Sequence, residues 1–241
     1  MKLPKIDEVI IKTLKIKDLK ILHLSDLHIN KKTSSLVIKE LVSKCNRTQC
    51  DFIVITGDII DCKVKFIKEK LQLLNDLKQK TYYISGNHDL FYGFKELKEV
   101  LTNLICLDNS YEILKIKNQN IAIAGLSDRF SKFFKIKREE KKVVEFLKSC
   151  ENSILLAHQP KDYTFALRCN AKLFLCGHTH GGQIFPFHYV VKLFQPFLNG
   201  IIYKNQTAIY VNRGLGCWGV DFRYKADSEI SLLKLIPKEV K

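Results

Sequence analysis

The chain has 241 residues, 46% hydrophobic and 27% charged, the balance of a folded protein with a buried core; this excludes a disordered, collagenous or low-complexity chain. Lys and Arg total 40 against 25 Asp and Glu, a formal net charge of +15. Only six of the 40 are Arg and no five cations stand together, which argues against a nucleic-acid partner and leaves solvated surface, an anionic phosphorylated substrate or an anionic membrane face.

Apolar runs rich in β-branched residues predict strands over 9–16, 19–24 and 52–56, with a helix over 34–45 between the last two. A second helix is predicted over 64–77, where Ile67, Leu71, Leu74 and Leu77 fall on one face. A strand over 81–85, a helix over 91–101, strands over 111–116 and 121–125 and a helix over 138–150 follow. The remaining predicted strands are 153–157, 172–176, 201–203, 208–212 and 229–236. Strand-then-helix units argue for a parallel sheet, and the strand-rich second half for a second, mixed one. With no repeat and no linker, the expectation is a single α/β domain over residues 1–241.

The most apolar stretch, 184–198, is interrupted by Pro186, His188, Lys192, Gln195 and Pro196, so no membrane-spanning helix is expected. Eight cysteines include no C-x-x-C pair, which removes the usual signatures of a zinc ribbon or a thioredoxin-like site. With no secretory pattern in residues 1–14, reduced thiols and a cytoplasmic location are expected.

Five short polar motifs follow predicted strands. They are Asp26-Leu27-His28, Gly57-Asp58, Gly86-Asn87-His88-Asp89, His158, and Gly177-His178-Thr179-His180. Five of the seven histidines lie in them. The carboxyl ends of strands line the ligand crevice of open α/β sheets. Asp, His and Asn without thiolate suit Mn, Fe or Zn ions. Seven such donors exceed the coordination of one ion, so two ions sharing a bridging carboxylate is the natural arithmetic. The glycines before Asp58, Asn87 and His178 are expected to allow tight turns. His23, predicted to face the opposite way, and His188, predicted to lie in a loop, are left outside the constellation.

The order D-x-H, G-D, G-N-H-D, H, G-H-x-H resembles the calcineurin-like metallophosphoesterase superfamily. GHTHGGQ from Gly177 to Gln183 and the tail VNRGLGCWGVDFRY are similar to a bacterial branch often called YkuE-like or YaeI-like. The resemblance runs from about Val9 to Ile236 and implies a four-layer α/β/β/α sandwich. It implies two divalent metal ions, one held by Asp26, His28, Asp58 and His180, the other by Asp58, Asn87, His158 and His178. It places His88 against the substrate and Asp89 behind it as an orienting acceptor. Asn87, His88 and Arg223 are the expected substrate contacts, with Arg213 a weaker candidate. Some relatives carry a membrane anchor for which no counterpart is expected here.

The expected reaction is hydrolysis of a phosphoester or pyrophosphate bond, with two cations activating a water and His88 serving as proton donor or phosphate contact. The aromatic residues Phe185, Phe187, Tyr189, Phe194 and Phe197 beside the last motif allow a lipid-linked substrate or peripheral contact with the inner face of an anionic membrane; the competing expectation packs them under the second sheet. A UDP-2,3-diacylglucosamine pyrophosphohydrolase, a nuclease and an inactive metal-binding scaffold are the alternatives.

Overall fold

The computed structural model describes residues 3–13 and 15–238. Two six-stranded mixed sheets carry the chain. Their strands, in chain order, are β1 (Ile6–Thr13), β2 (Leu19–Leu24), β3 (Phe52–Ile55), β4 (Thr81–Tyr83), β5 (Ile105–Cys106), β6 (Ser110–Ile116), β7 (Gln119–Gly125), β8 (Ser153–Leu156), β9 (Leu173–Cys176), β10 (Gly200–Lys204), β11 (Thr207–Val211) and β12 (Ile230–Pro237). The helices are α1 (Ser35–Arg47), α2 (Lys68–Gln72), α3 (Asn87–Tyr92), α4 (Phe94–Val100), α5 (Glu140–Lys148), α6 (Tyr163–Arg168) and α7 (His188–Phe194).

The first sheet has the order β1-β12-β2-β3-β4-β5 and the second β10-β11-β9-β8-β7-β6. Strands β2 to β5 run parallel, as do β7, β8, β9 and β11, and antiparallel partners flank both runs. Alternation along each strand explains the layering. In β3, Phe52 and Val54 enter the core between the sheets, where they meet residues such as Ile154, Leu156 and Leu175 of the second sheet. Ile53 and Ile55 point the other way, onto Ile38, Leu41 and Leu71 of the outer helices. In the second sheet Ala124, Leu155 and Phe174 pack outward on Val143 and Leu147 of α5 and Phe165 of α6. The result is the four-layer α/β/β/α sandwich.

The predicted strands agree with the observed ones to within a few residues. β1 begins earlier than the predicted strand over 9–16, whose Leu14 lies outside the described residues. The predicted helix over 34–45 is α1, and Ser34 caps it by accepting from the Leu36 N–H at 3.2 Å. The helix over 64–77 is broken: turns of 3-10 geometry at Val64–Phe66 and Leu73–Asp76 flank α2. Its apolar stripe is nonetheless buried, with Val64, Ile67, Leu71 and Leu74 in the outer core. Side chains compete for the backbone here: Asn46 donates to the Asp76 carbonyl and Asn75 to that of Val100. The helix over 91–101 starts earlier, at Asn87, and splits at Gly93, whose φ of +123° ends α3. The short elements β5, α6 and α7 were not predicted, and His188 opens α7 rather than lying in a loop.

Among the described residues no helix is long and apolar enough to cross a membrane. What matters for chemistry is the strand ends. β2, β3 and β4 of one sheet and β8 and β9 of the other release their chains toward one edge of the sandwich, in register at Leu24 with Ile55 and at Leu156 with Leu175.

Candidate metal centre

The five motifs occupy the turns that leave those strands. Backbone hydrogen bonds interlock them: the Asp26 N–H donates to the Gly57 carbonyl, the His28 N–H to that of Asp58, and the Gly177 N–H to that of His158, at 3.0, 3.0 and 2.9 Å. Asp26, His28, Asp58, His178 and His180 all have positive φ, between 46° and 71°. A non-glycine residue in this left-handed region is strained by about 1–2 kcal/mol. Five of the fourteen positive-φ non-glycine residues among the described residues are expected ligands, so strain is concentrated at these turns though not confined to them. Only Gly57, with φ of +89°, meets the expectation that glycine is needed for its turn. Gly86 and Gly177 are required by close approach instead: a Cβ would stand 2.1 Å from Asp58 Oδ1 at the first and 1.9 Å from Ser25 Oγ at the second.

Two groups of donors converge, and a third, made of His28, Asp58 and His88, overlaps both. Asp26, His28 and His180 form one, with His180 Nε2 3.3 Å from Asp26 Oδ1 and 3.1 Å from His28 Nε2. Asp58, His158 and His178 form the other, with His158 Nε2 3.3 Å from Asp58 Oδ2 and 3.1 Å from His178 Nδ1. Asp58 also lies 3.8 Å from His28 Nε2, so its carboxylate stands between the groups. The Asn87 Oδ1 is buried and has no hydrogen-bond partner. Imidazole nitrogens facing one another, two carboxylates and an orphaned amide oxygen form a donor set that fits two divalent cations.

Electrostatics agree with this. Burial alone would raise the Asp26 and Asp58 carboxyls, yet the neighbouring histidines hold both below the usual carboxylate range. His178 is pushed down to about 3 by burial and by His158, and His180 is lowered by burial with help from His28 and Arg223. Both therefore present neutral nitrogen at neutral pH. His158 is the exception: burial lowers it, but Asp58, Asp26 and Asp128 together outweigh burial and raise it well above the ordinary value. Its other nitrogen, Nδ1, donates to the Thr56 carbonyl at 2.7 Å, which aims Nε2 into the site.

One expected role is corrected. Asp89 does not touch His88. Its carboxylate accepts from the backbone N–H groups of Ile59, Ile60 and Gly86, at 2.8, 3.0 and 2.9 Å, and so fastens the two motif turns together. Burial, reinforced by Asp58, pushes its pKa up to about 7. The His88 partner is Asp61, whose Oδ1 accepts from Nδ1 at 2.7 Å and lies 3.9 Å from His28 Nδ1. The signal for Asp61 was its spacing, three residues after Asp58 in G-D-I-I-D. Arg223 lines a neighbouring cleft with His28 and Asp61, and its guanidinium is engaged by backbone. Its guanidinium donates to the carbonyls of Arg213, Gly214 and Ala226 and lies 3.0 Å from His180 Nδ1, so it braces the last metal-loop histidine. Arg213 is tied to Glu229 at 2.7 Å. His23 is buried away from the donors, 2.9 Å from Thr56 Oγ1, as expected.

A groove of about 340 Å³ lies over the cluster. His28, Asp58, Asn87, His88, His178 and His180 form its floor, and Phe187, Val190, Phe194 and Trp218 its apolar wall. The expectation that the aromatics near α7 pack under the second sheet fails for four of five: Phe185, Phe187, Tyr189 and Phe194 are exposed by 42–63%, and only Phe197 packs there, on Tyr163.

The profile of the calcineurin-like phosphoesterase family matches residues 19–182, more than half of the chain. A metallophosphoesterase of uncharacterized function from Helicobacter pylori is 36% identical over 83% of this chain and 55% of its own length. The uncharacterized metallophosphoesterase YkuE of Bacillus subtilis is 31% identical over 82% of this chain and 72% of its own. A dimetal phosphatase from Danio rerio has a similar fold, with a TM-score of 0.57 at 10% identity, over 83% of this chain and 88% of that one. The chain spans about half the length of the Helicobacter and Campylobacter relatives that it matches. It belongs to the calcineurin-like phosphoesterase family.

Proposed function

We propose that this member of the calcineurin-like phosphoesterase family is a metal-dependent hydrolase of phosphoesters or pyrophosphates that works as one domain. The proposed ligands are Asp26, His28, Asp58 and His180 for one divalent ion and Asp58, Asn87, His158 and His178 for the other, with Mn, Fe or Zn as candidates. The observation that carries the reading is the Asp58 carboxylate between two groups of converging donors, at the floor of an open groove. When bound, a pair of such cations supplies Lewis acidity and makes water a nucleophile near neutral pH.

The chain's own residues do the rest. Burial lowers the His88 pKa, but Asp61 and Asp58 outweigh it and raise the imidazole above its ordinary value. With Nδ1–H engaged by Asp61, His88 holds its transferable proton at Nε2, where it can donate to a leaving oxygen or to a phosphoryl oxygen. The Asn87 amide faces the same groove. The wall of Phe187, Val190, Phe194 and Trp218 supports a substrate with an apolar part beside its phosphate. A nucleotide-linked lipid such as UDP-2,3-diacylglucosamine is one such molecule.

The test begins with chelated protein, elemental analysis after reconstitution with Mn, Zn or Mg, and a substrate panel. The panel holds a phosphomonoester, a phosphodiester, UDP-2,3-diacylglucosamine and single-stranded DNA. Two bound ions and turnover of a phosphate bond support the reading. Two bound ions without turnover of any member would make the chain a scaffold, and turnover of DNA alone would make it a nuclease.

A further inference from the structure

Exposed apolar side chains are not scattered over this molecule. Of the twenty large hydrophobic residues that stand exposed among the described residues, fourteen lie at Phe91, in 133–136, in 185–194 and in 218–224. Phe187, Val190, Phe194 and Trp218 of this set line the groove itself, and Phe133 and Ile136 line a second cleft that Phe91 links to α3. On the α7 side, Phe187 lies 6.3 Å from Trp218, and the Phe185 N–H donates to the Tyr224 carbonyl, which joins α7 to the 218–224 loop. On the α3 side, the helix carries His88 on the groove floor and Phe91 outward, and Phe91 packs 5.3 Å from Phe134. Leu193, 81% exposed, is the most prominent of the set. A patch of this extent is unusual on a surface that faces only water.

Charge says what these side chains meet. Lys225 Nζ stands 4.6 Å over the Phe185 ring and Lys132 Nζ 4.9 Å over that of Phe133. In the cleft beside Phe133, Arg129 and Arg138 are tied to Asp162 and Lys137 to Glu139. Lys132, Lys135 and Lys161 in that cleft, and Lys192 and Lys225 on the α7 side, form no ion pair among the described residues. Asp221 and Asp227 are exposed acids on the α7 side, while the half-exposed Glu139 and Glu140 beside the cleft are already engaged by Lys137 and Arg138. Apolar tips interleaved with ammonium groups on a seven-residue helix and irregular loops match a lipid interface, where rings enter the acyl boundary and lysines reach the phosphates.

We propose that this face seats the chain on an anionic phospholipid bilayer, with the groove opening onto the lipid. The proposal does not rest on hydrolysis, and its test reads none. Trp218 is the only tryptophan in the sequence and lies 44% exposed within the patch, so its emission reports docking directly. The full chain is titrated with vesicles of phosphatidylcholine alone and with vesicles containing phosphatidylglycerol, plain or brominated in the acyl chains.

A blue shift and bromine quenching that require phosphatidylglycerol and weaken with salt are the expected result. Leu193→Asp should weaken vesicle binding by roughly tenfold or more, the scale of one large apolar side chain kept in water. Leu36→Asp, on α1 at 75% exposure, serves as the control and should bind as the wild type does. Both sites are exposed, and an unchanged melting temperature checks the fold. Absent quenching with every vesicle, equal binding by Leu193→Asp, or a patch buried by self-association in place of lipid would each overturn the proposal.

Discussion

Replacing Gly177 with alanine adds one methyl group where the structure leaves no room. The new Cβ would lie 1.9 Å from Ser25 Oγ and 2.3 Å from Asp26 Oδ2, where ordinary contact begins near 3.4 Å. The Gly177 backbone lies outside the left-handed region, so the methyl group brings no φ strain. The neighbours that must move are Ser25 and Asp26, and the Asp26 carboxylate accepts from the His178 N–H at 3.0 Å and from Ser25 Oγ at 2.5 Å. Overpacking of this kind costs about 1–3 kcal/mol. At about 2–4 °C per kcal/mol for a domain of this size, the melting temperature should fall by about 2–12 °C. Because Asp26 is a proposed ligand, Gly177→Ala should also lose the ion held by Asp26, His28 and His180. Gly200→Ala makes the comparison: φ is +81° and nothing lies within 4 Å of the added Cβ. It should cost about 1–2 kcal/mol through the left-handed backbone and leave metal content unchanged. Scanning calorimetry and elemental analysis of both variants read the two effects apart. A Gly177→Ala protein that kept the wild-type melting temperature and both ions would refute the packing argument.

Asp58→Asn should lose both ions and activity together, because one carboxylate serves both donor groups; elemental analysis showing two retained ions would contradict the bridge. His88→Ala should keep both ions yet turn over about a hundredfold more slowly, the scale of a catalytic acid. Asp61→Asn removes the partner that raises His88 against the effect of burial, so the basic limb of the pH–rate profile should move to lower pH with metal content preserved. His23 is pushed down to about 4 by burial, so the folded chain resists a proton that the unfolded chain accepts from about pH 6.5. Its contribution is therefore complete above that pH and is lost as pH falls toward 4, about 3 kcal/mol in all. Denaturant melts across this window should show a shallower acid-side loss for His23→Gln than for the wild type.

The parts of the fold that repeat a period were legible before any coordinates. The one-faced stripe of Ile67, Leu71 and Leu74 survives in the structure, buried in the outer core. The helix drawn through that stripe does not, because Asn46 and Asn75 claim carbonyls from a distance that no local pattern encodes. In the site, residue type and strand-end position picked out seven candidate donors, which the fold brings to one edge. Partnership was harder to read. Asp89 follows His88 directly, yet the start of α3 turns its carboxylate onto Ile59 and Ile60, and Asp61 arrives from another turn to take the place assigned to it. The bracing contacts of Arg223 were not legible, because a sequence records its charge but not the carbonyls that surround it.

Each proposed ion draws on both halves of the sandwich. Asp26, His28 and Asp58 leave one sheet and His180 the other, while Asp58 and Asn87 face His158 and His178 in the same way. The pair of cations would thus act as a clasp across the seam, and any slip of one sheet past the other would tear both coordination spheres at once. Loading the ions should tighten the whole sandwich, so that amide exchange slows at the seam and also in strands far from it.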